Sequence, residues 1–157
     1  MEYWKFIREK VGKEKVLFNG SVGAILEEGK VLLVFDKGRS QWQMPGGLQE
    51  LGESVEETAL REISEELNLK AQIKDLIAVY SDPKWSFTYP NGDSLQVVSF
   101  CFLLKVKEEE YEKIKIDESE NSEFKWFNIS ELPKNTDKQT LQMCKDLQEF
   151  SGKTFLR

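Results

Sequence analysis

Apolar positions along the chain change their period several times, and each change predicts an element. Over residues 2–11, Tyr3, Phe6, Ile7 and Lys10 stand near helical spacing, and Gly12 ends the run. Residues 21–26 and 30–35 are dense in aliphatic side chains and predict two strands joined by the turn Glu27-Glu28-Gly29. Residues 54–67 carry the clearest helical pattern: at about 100° per residue, Val55, Ala59, Leu60, Ile63 and Leu67 fall on one side. Ser54 and Glu57 have the spacing of a capping box, in which each side chain takes up a free backbone donor. Residues 71–80 predict a strand. Residues 84–89 and 94–106 predict a hairpin around Pro90-Asn91-Gly92-Asp93, whose Asn-Gly pair suits positive φ. Residues 109–123 are strongly charged and predict mostly loop or a short helix. A strand follows over residues 124–128, then a helical turn at Ser130-Glu131-Leu132-Pro133, and residues 137–150 predict a final amphipathic helix. No repeat or low-complexity segment interrupts the order. Strands and helices alternate irregularly, so the class is α/β or α+β, with a sheet packed between helices.

The 157 residues are the usual size of one domain, with 39% hydrophobic and 32% charged residues, an ordinary globular balance. The longest apolar runs, residues 31–35 and 100–104, are far too short to span a bilayer, so no membrane partner is expected. Met1-Glu2-Tyr3-Trp4-Lys5 lacks an apolar stretch behind a basic head, and a cytoplasmic location is the default expectation. A net charge of −6 gives no basic footprint for nucleic acid. An anionic small molecule can still bind if a divalent cation bridges it to the protein. Cys101 and Cys144 fall in strand-like and helix-like runs and read as buried thiols rather than a disulfide. The absence of histidine excludes Ser-His-Asp and Cys-His catalysis and disfavours zinc. Chemistry is left to carboxylates, Lys, Arg, Tyr and hard cations.

Residues 46–69 read GGLQELGESVEETALREISEELNL. On the predicted helix, Glu62, Glu65 and Glu66 stand at i, i+3 and i+4, so their carboxylates emerge side by side along the apolar stripe. Glu62 and Glu66 repel at a cost of a few tenths of a kcal/mol. A divalent cation reverses that sign, since carboxylates with a carbonyl and water make a hard oxygen site. A solvated acidic face also accounts for these residues, and Lys70, four after Glu66, fits that plainer reading. The preceding Pro45-Gly46-Gly47 favours a site, because missing side chains let backbone and ligand approach closely.

The segment resembles the Nudix family pattern G-x5-E-x7-R-E-U-x-E-E-x-G-U, where U is aliphatic. Gly47, Glu53, Arg61, Glu62, Ile63, Glu65, Glu66 and Leu69 occupy the fixed places. Asn68 stands where the pattern has its last Gly. That position closes the helix in a left-handed conformation, which Asn tolerates next best. Trp42-Gln43-Met44-Pro45-Gly46-Gly47 is similar to the strand and turn leading into the box. Phe124-Lys125-Trp126-Phe127 with Glu131-Leu132-Pro133 is similar to the late strand of the fold.

The resemblance implies a single domain over residues 1–157 with a core at about 16–133 and terminal helices added, built as an α/β/α sandwich around a mixed sheet. It implies a hydrolase that cuts the pyrophosphate bond of a nucleoside diphosphate derivative: a nucleoside triphosphate, ADP-ribose or a nucleotide sugar. It implies Mg2+, replaceable by Mn2+, held by Glu62, Glu65, Glu66 and the Gly46 carbonyl. Glu53 and Arg61 are expected to pair and hold the loop and helix, or Arg61 to contact phosphate through its planar fork. A carboxylate must accept the proton of the attacking water. Box glutamates are candidates, as are Glu118 and Glu120, for which a solvated charge run is the plainer reading. Trp85, Phe87 and Tyr89 alternate, and are expected either to stack on substrate or to serve as core or dimer interface. Pro83 lies near where ADP-ribose-cleaving members carry a proline, and Asp36 falls where many relatives have a basic residue. A homodimer is a further expectation. The competing reading is an idle Nudix module that binds a nucleotide and regulates a partner.

Overall fold

The structure, a computed structural model, describes residues 2–119 and 121–157. Its elements in chain order are α1 (Tyr3–Val11), β1 (Val16–Glu27), β2 (Lys30–Asp36), β3 (Gln41–Gln43), β4 (Gly46–Leu48), α2 (Val55–Leu67), β5 (Ala71–Tyr80), β6 (Phe87–Thr88), β7 (Ser94–Val106), α3 (Glu108–Tyr111), β8 (Asn121–Asn128), α4 (Lys138–Glu149) and β9 (Phe155–Leu156). The backbone of the sheet runs β3-β2-β1-β7-β5-β9, with β4 on β1, β6 on β7 and β8 on β2. It is mixed: β1 and β7 are parallel in register from Val16↔Leu95 to Ile25↔Leu104, and β5 pairs β9 in parallel, while the other pairs are antiparallel.

Helices cover both faces, as the pattern of apolar positions requires. On one face, Ala59, Ile63 and Leu67 of α2 pack with Ile25, Leu32, Val34, Phe102 and Leu104. On the other, Met143, Cys144 and Leu147 of α4 pack with Ala24, Leu33, Met44, Ile77 and Tyr80. A third, smaller cluster of Phe18, Leu95 and Val97 is covered by Tyr3, Trp4 and Ile7 of α1. Both cysteines are free and buried, and burial pushes the Cys144 thiol up to about 12. Among the described residues, no helix is long and apolar enough to cross a membrane.

Three elements depart from expectation. Residues 83–85 do not extend as a strand. Pro83 presets the first turn of a short 3-10 helix, Pro83–Trp85, and the Asp82 side chain accepts from Lys84 N at 2.9 Å. The hairpin survives beyond it, with Phe87↔Leu95 and Thr88↔Ser94 paired around a turn in which Gly92 has φ 90°. Around Ser130-Glu131-Leu132-Pro133 there are two single turns, Glu131 N to Asn128 O and Thr136 N to Pro133 O, in place of one helical turn. The short strand β9 has no sequence signal. It exists because Asp146, fully buried on α4, takes a hydrogen bond from Tyr80 Oη at 2.7 Å and one from Arg157 Nη2 at 2.6 Å, which draws the end of the chain onto β5.

Candidate functional site

Helix α2 begins and ends by the devices its sequence carries. Ser54 Oγ accepts from Glu57 N at 3.1 Å, and Glu57 Oε2 accepts from Ser54 N at 2.7 Å. At the other end Asn68 adopts φ 55°, ψ 33°, and its N–H reaches Ser64 O at 3.0 Å. Its side chain adds a contact absent from the local signal: Nδ2 donates to Lys113 O at 3.1 Å. The helix therefore holds the start of the acidic loop as well as closing itself.

The two glycines before the helix are required by close approach. A Cβ on Gly47 would lie 2.3 Å from Glu62 Oε1, and one on Gly46, at φ 155°, would lie 2.3 Å from Ser21 O. Bare backbone lets β4 pair with β1 while the glutamates of α2 lie directly against it. Glu66 Oε1 accepts from Gly46 N at 3.2 Å and Oε2 from Asn121 Nδ2 at 3.2 Å, with the residue 4% exposed. One carboxylate thus ties helix, glycine turn and the start of β8 together.

Arg61 stands at the centre of the acidic group. Its Nε and Nη2 donate to the two oxygens of Glu53 at 2.6 and 3.1 Å, a bidentate pair. Nη1 donates to Glu62 Oε1 at 2.7 Å and Glu65 Oε2 at 3.0 Å, and Nη2 also reaches Leu48 O at 3.0 Å. Glu53 further accepts from Glu50 N at 3.1 Å and Thr58 Oγ1 at 3.0 Å. The Arg61 hydrogen bonds hold the Glu53 carboxyl below the usual range, and the same bonds raise the Arg61 guanidinium.

The acidic loop is docked on this helix. Lys115 N donates to Leu67 O at 3.1 Å and Asp117 N to Glu66 O at 3.0 Å, which satisfies carbonyls that a helix end leaves open. Lys37 Nζ donates to Glu118 O from the other side. A cavity of about 630 Å³ lies between Ser64, Glu65 and Asn68 of α2 and residues 115–118.

A family model described as the NUDIX domain matches residues 17–147. The chain belongs to the Nudix family. It is 36% identical over 115 residues to the ADP-ribose pyrophosphatase of Methanocaldococcus jannaschii, a match covering 71% of this chain and 62% of that protein. It is 41% identical over 64 residues to nucleoside diphosphate-linked moiety X motif 6 of Xenopus laevis, covering 38% of this chain and 30% of that protein. The chain therefore matches less than two thirds of the length of these relatives. The fold is also that of the crystal structure of an ADP-ribose pyrophosphatase from Streptococcus suis, with a TM-score of 0.68 at 20% identity, covering 89% of this chain and 98% of the other.

Of the site residues singled out in the sequence, Gly46, Glu53, Arg61, Glu62, Glu65 and Glu66 come together along one side of α2, while Glu120 lies outside the described residues. Among the described residues no group of three acidic side chains is already drawn together as a metal cage, because Arg61 Nη1 lies between Glu62 and Glu65. The donor set nonetheless fits a hard divalent ion. It is all oxygen, it occupies adjacent turns of one helix, and the Gly47 cradle leaves the Glu62 carboxylate room against the backbone. Glu65, with its side chain 57% exposed, is free to turn away from Arg61.

Trp85, Phe87 and Tyr89 do not share one face. Trp85 packs edge-on to Tyr80 at 5.7 Å in the α4 layer, Phe87 joins the α1 layer, and Tyr89 meets the Phe87 ring at 5.1 Å. Pro83 forces this by coiling the first residues of the presumed strand. Two residues were missed entirely. Asn121 holds Glu66 from across the fold. Arg39 answers the acidic Asp36: its Nε donates to Asp36 Oδ2 at 3.0 Å, and its guanidinium lies 5.3 Å from the Phe87 ring centre. Asn121 has no local signal, since its partner lies 55 positions away, whereas Arg39 stands three residues after Asp36, where that spacing could have revealed it.

Proposed function

We propose that this Nudix chain is a Mg2+-dependent pyrophosphohydrolase, with Mn2+ able to substitute, acting on a nucleoside diphosphate linked to a second moiety. The name of the 36%-identical relative puts ADP-ribose first among the substrates to try. The observation that carries the reading is the seating of Glu62 and Glu66 against Gly46 and Gly47, with Arg61 fixing Glu62 and Glu65 from the other side. In this reading Glu62, Glu65, Glu66 and the Gly46 carbonyl hold the ion, which when bound neutralises phosphate oxygens and acidifies water.

The chain's own residues do the rest. Asn121 and Gly46 N–H aim Glu66, and Glu53 keeps Arg61 in its plane so that Glu62 and Glu65 keep their spacing. Proton acceptance from water falls to a carboxylate, Glu65, Glu66 or Glu120, since the chain has no histidine.

The test is a panel of ADP-ribose, nucleotide sugars, nucleoside triphosphates and dinucleotides, with phosphate-containing products quantified at fixed Mg2+. Glu65→Gln is the informative variant, because the exposed side chain loses charge without disturbing packing. Turnover is expected to fall by orders of magnitude with an unchanged melting temperature. Hydrolysis that persists in excess chelator, or full activity in Glu65→Gln, overturns the metal mechanism.

A further inference from the structure

Helix α1 lies outside the Nudix match at residues 17–147, yet it touches the loop that leads into the box. Its N-terminus lacks the usual local devices: Glu2 makes no side-chain cap, and the first turn carries no acidic residue. The donor is instead met from far along the chain. Tyr3 N–H donates to Glu50 Oε2 at 2.8 Å, across 47 residues. A carboxylate at a helix N-terminus is favoured by the helix dipole as well as by the hydrogen bond.

Glu50 is not an isolated surface acid. Its own N–H donates to Glu53 Oε2 at 3.1 Å, and Glu53 N–H returns to Glu50 O at 3.3 Å. Glu53 then grips Arg61 with both oxygens, and Arg61 Nη1 reaches Glu62 and Glu65. A continuous run of hydrogen bonds therefore joins the first turn of α1 to the box glutamates. The other end of α1 is fixed as well: Arg8 Nη1 donates to Gly12 O and Glu14 O at 2.9 and 2.8 Å, and Nη2 to Ser94 O at 3.1 Å. Tyr3 meets Phe18 edge-on at 6.2 Å beneath it. With Tyr3 on Phe18 and Arg8 on Ser94 O, α1 is held on the sheet and gives a second fixed point, besides the Gln49 N–H bond to Asn19 O at 3.0 Å, to a loop in which Leu51 is 76% exposed.

We propose that Glu50, latched to the N-terminus of α1, is a positioning residue that sets the box glutamates through Glu53 and Arg61. This rests on the metal-dependent reading above. Without the latch, the loop gains freedom around Glu50, and Glu53 holds its two oxygens less firmly against Arg61. The consequence is a blunted metal site on a folded domain. Losing a group that orients ligands from behind them typically costs about 10–100-fold in metal affinity or activity; one step further out, a loss of about three- to tenfold is expected.

The experiment compares wild type, Glu50→Ala and Glu50→Gln. Mn2+ affinity is read by electron paramagnetic resonance without substrate, and kcat and KM at saturating Mg2+ on the best substrate of the panel. Glu50→Ala is expected to bind Mn2+ three- to tenfold more weakly and to lose kcat with little change in KM. Glu50→Gln keeps an oxygen for Tyr3 N–H and should recover most of both. Equal Mn2+ affinity and kcat in wild type and Glu50→Ala, with only a lower melting temperature, overturns the latch and leaves a structural contact. Glu50→Gln as impaired as Glu50→Ala also overturns it, since then charge and not the hydrogen bond to α1 matters. A wild-type protein that neither binds Mn2+ nor turns over any panel member refutes the metal-dependent reading itself, and the latch falls with it.

Discussion

Replacing Arg61 by alanine removes the cation around which the whole acidic group is arranged. Arg61 bonds Glu53 at 2.6 and 3.1 Å, Glu62 at 2.7 Å and Glu65 at 3.0 Å, and its side chain is about three-quarters buried at 26% exposure. The Glu65 bond is largely exposed and contributes about 0–1 kcal/mol. The bidentate Glu53 bond and the shielded Glu62 bond matter more. Removing their common partner should cost about 2–3 kcal/mol, between a surface pair and a fully buried one. For a chain of this size each kcal/mol moves the melting temperature by about 2–4 °C, so Arg61→Ala should melt about 5–10 °C lower in chelator at pH 7. Metal offers the carboxylates a replacement cation: Mg2+ at a hundredfold excess over its Kd returns about 2.7 kcal/mol. Mg2+ should thus narrow the gap to chelated wild type without restoring turnover. Acidification gives the sign independently. The Glu53 pKa is lowered by its bond to Arg61, so its contribution is full above the ordinary Glu value near 4.3 and fades as pH drops through the lower folded value. The wild-type advantage over Arg61→Ala should therefore shrink below about pH 4.3. Thermal melts with and without Mg2+, across pH, read all three effects. An Arg61→Ala protein that melts with wild type in chelator, or Glu53→Ala and Arg61→Ala losses that simply add in the double variant, would refute the central role of this pair.

Asn68→Gly relieves the left-handed backbone but forfeits the bond to Lys113 O, so net stability should stay within about 1 kcal/mol of wild type, while amide exchange over residues 111–117 quickens; unchanged exchange would show that the side chain does not hold the loop. Asp146→Ala strips Tyr80 and Arg157 of their buried acceptor and should cost about 3 kcal/mol, with β9 lost from β5 in hydrogen exchange; a melting point within 2 °C of wild type, by about the scaling above, would count against the network.

What the chain determined by itself was local. The start and end of α2 follow from Ser54, Glu57 and Asn68, whose partners lie within one or two turns, and the facing of Glu62, Glu65 and Glu66 follows from helical period alone. The glycine pair announced a close approach, and the box spacing announced the family. Tertiary structure decided which groups complete those residues. Asn121 reaches Glu66 across 55 positions, Glu50 reaches Tyr3 across 47, and Tyr80 reaches Asp146 across 66. No periodicity or propensity encodes such partners, because each bond joins segments that only the assembled fold brings together, through β8 on β2, β4 on β1 and α4 against β5. The same holds for Trp85, Phe87 and Tyr89: Trp85 and Phe87 do join the core, but not on one shared face. Alternation is a rule for extended backbone, and Pro83 coils the chain at the place where the rule was applied, so Trp85 and Phe87 end in different layers of the core.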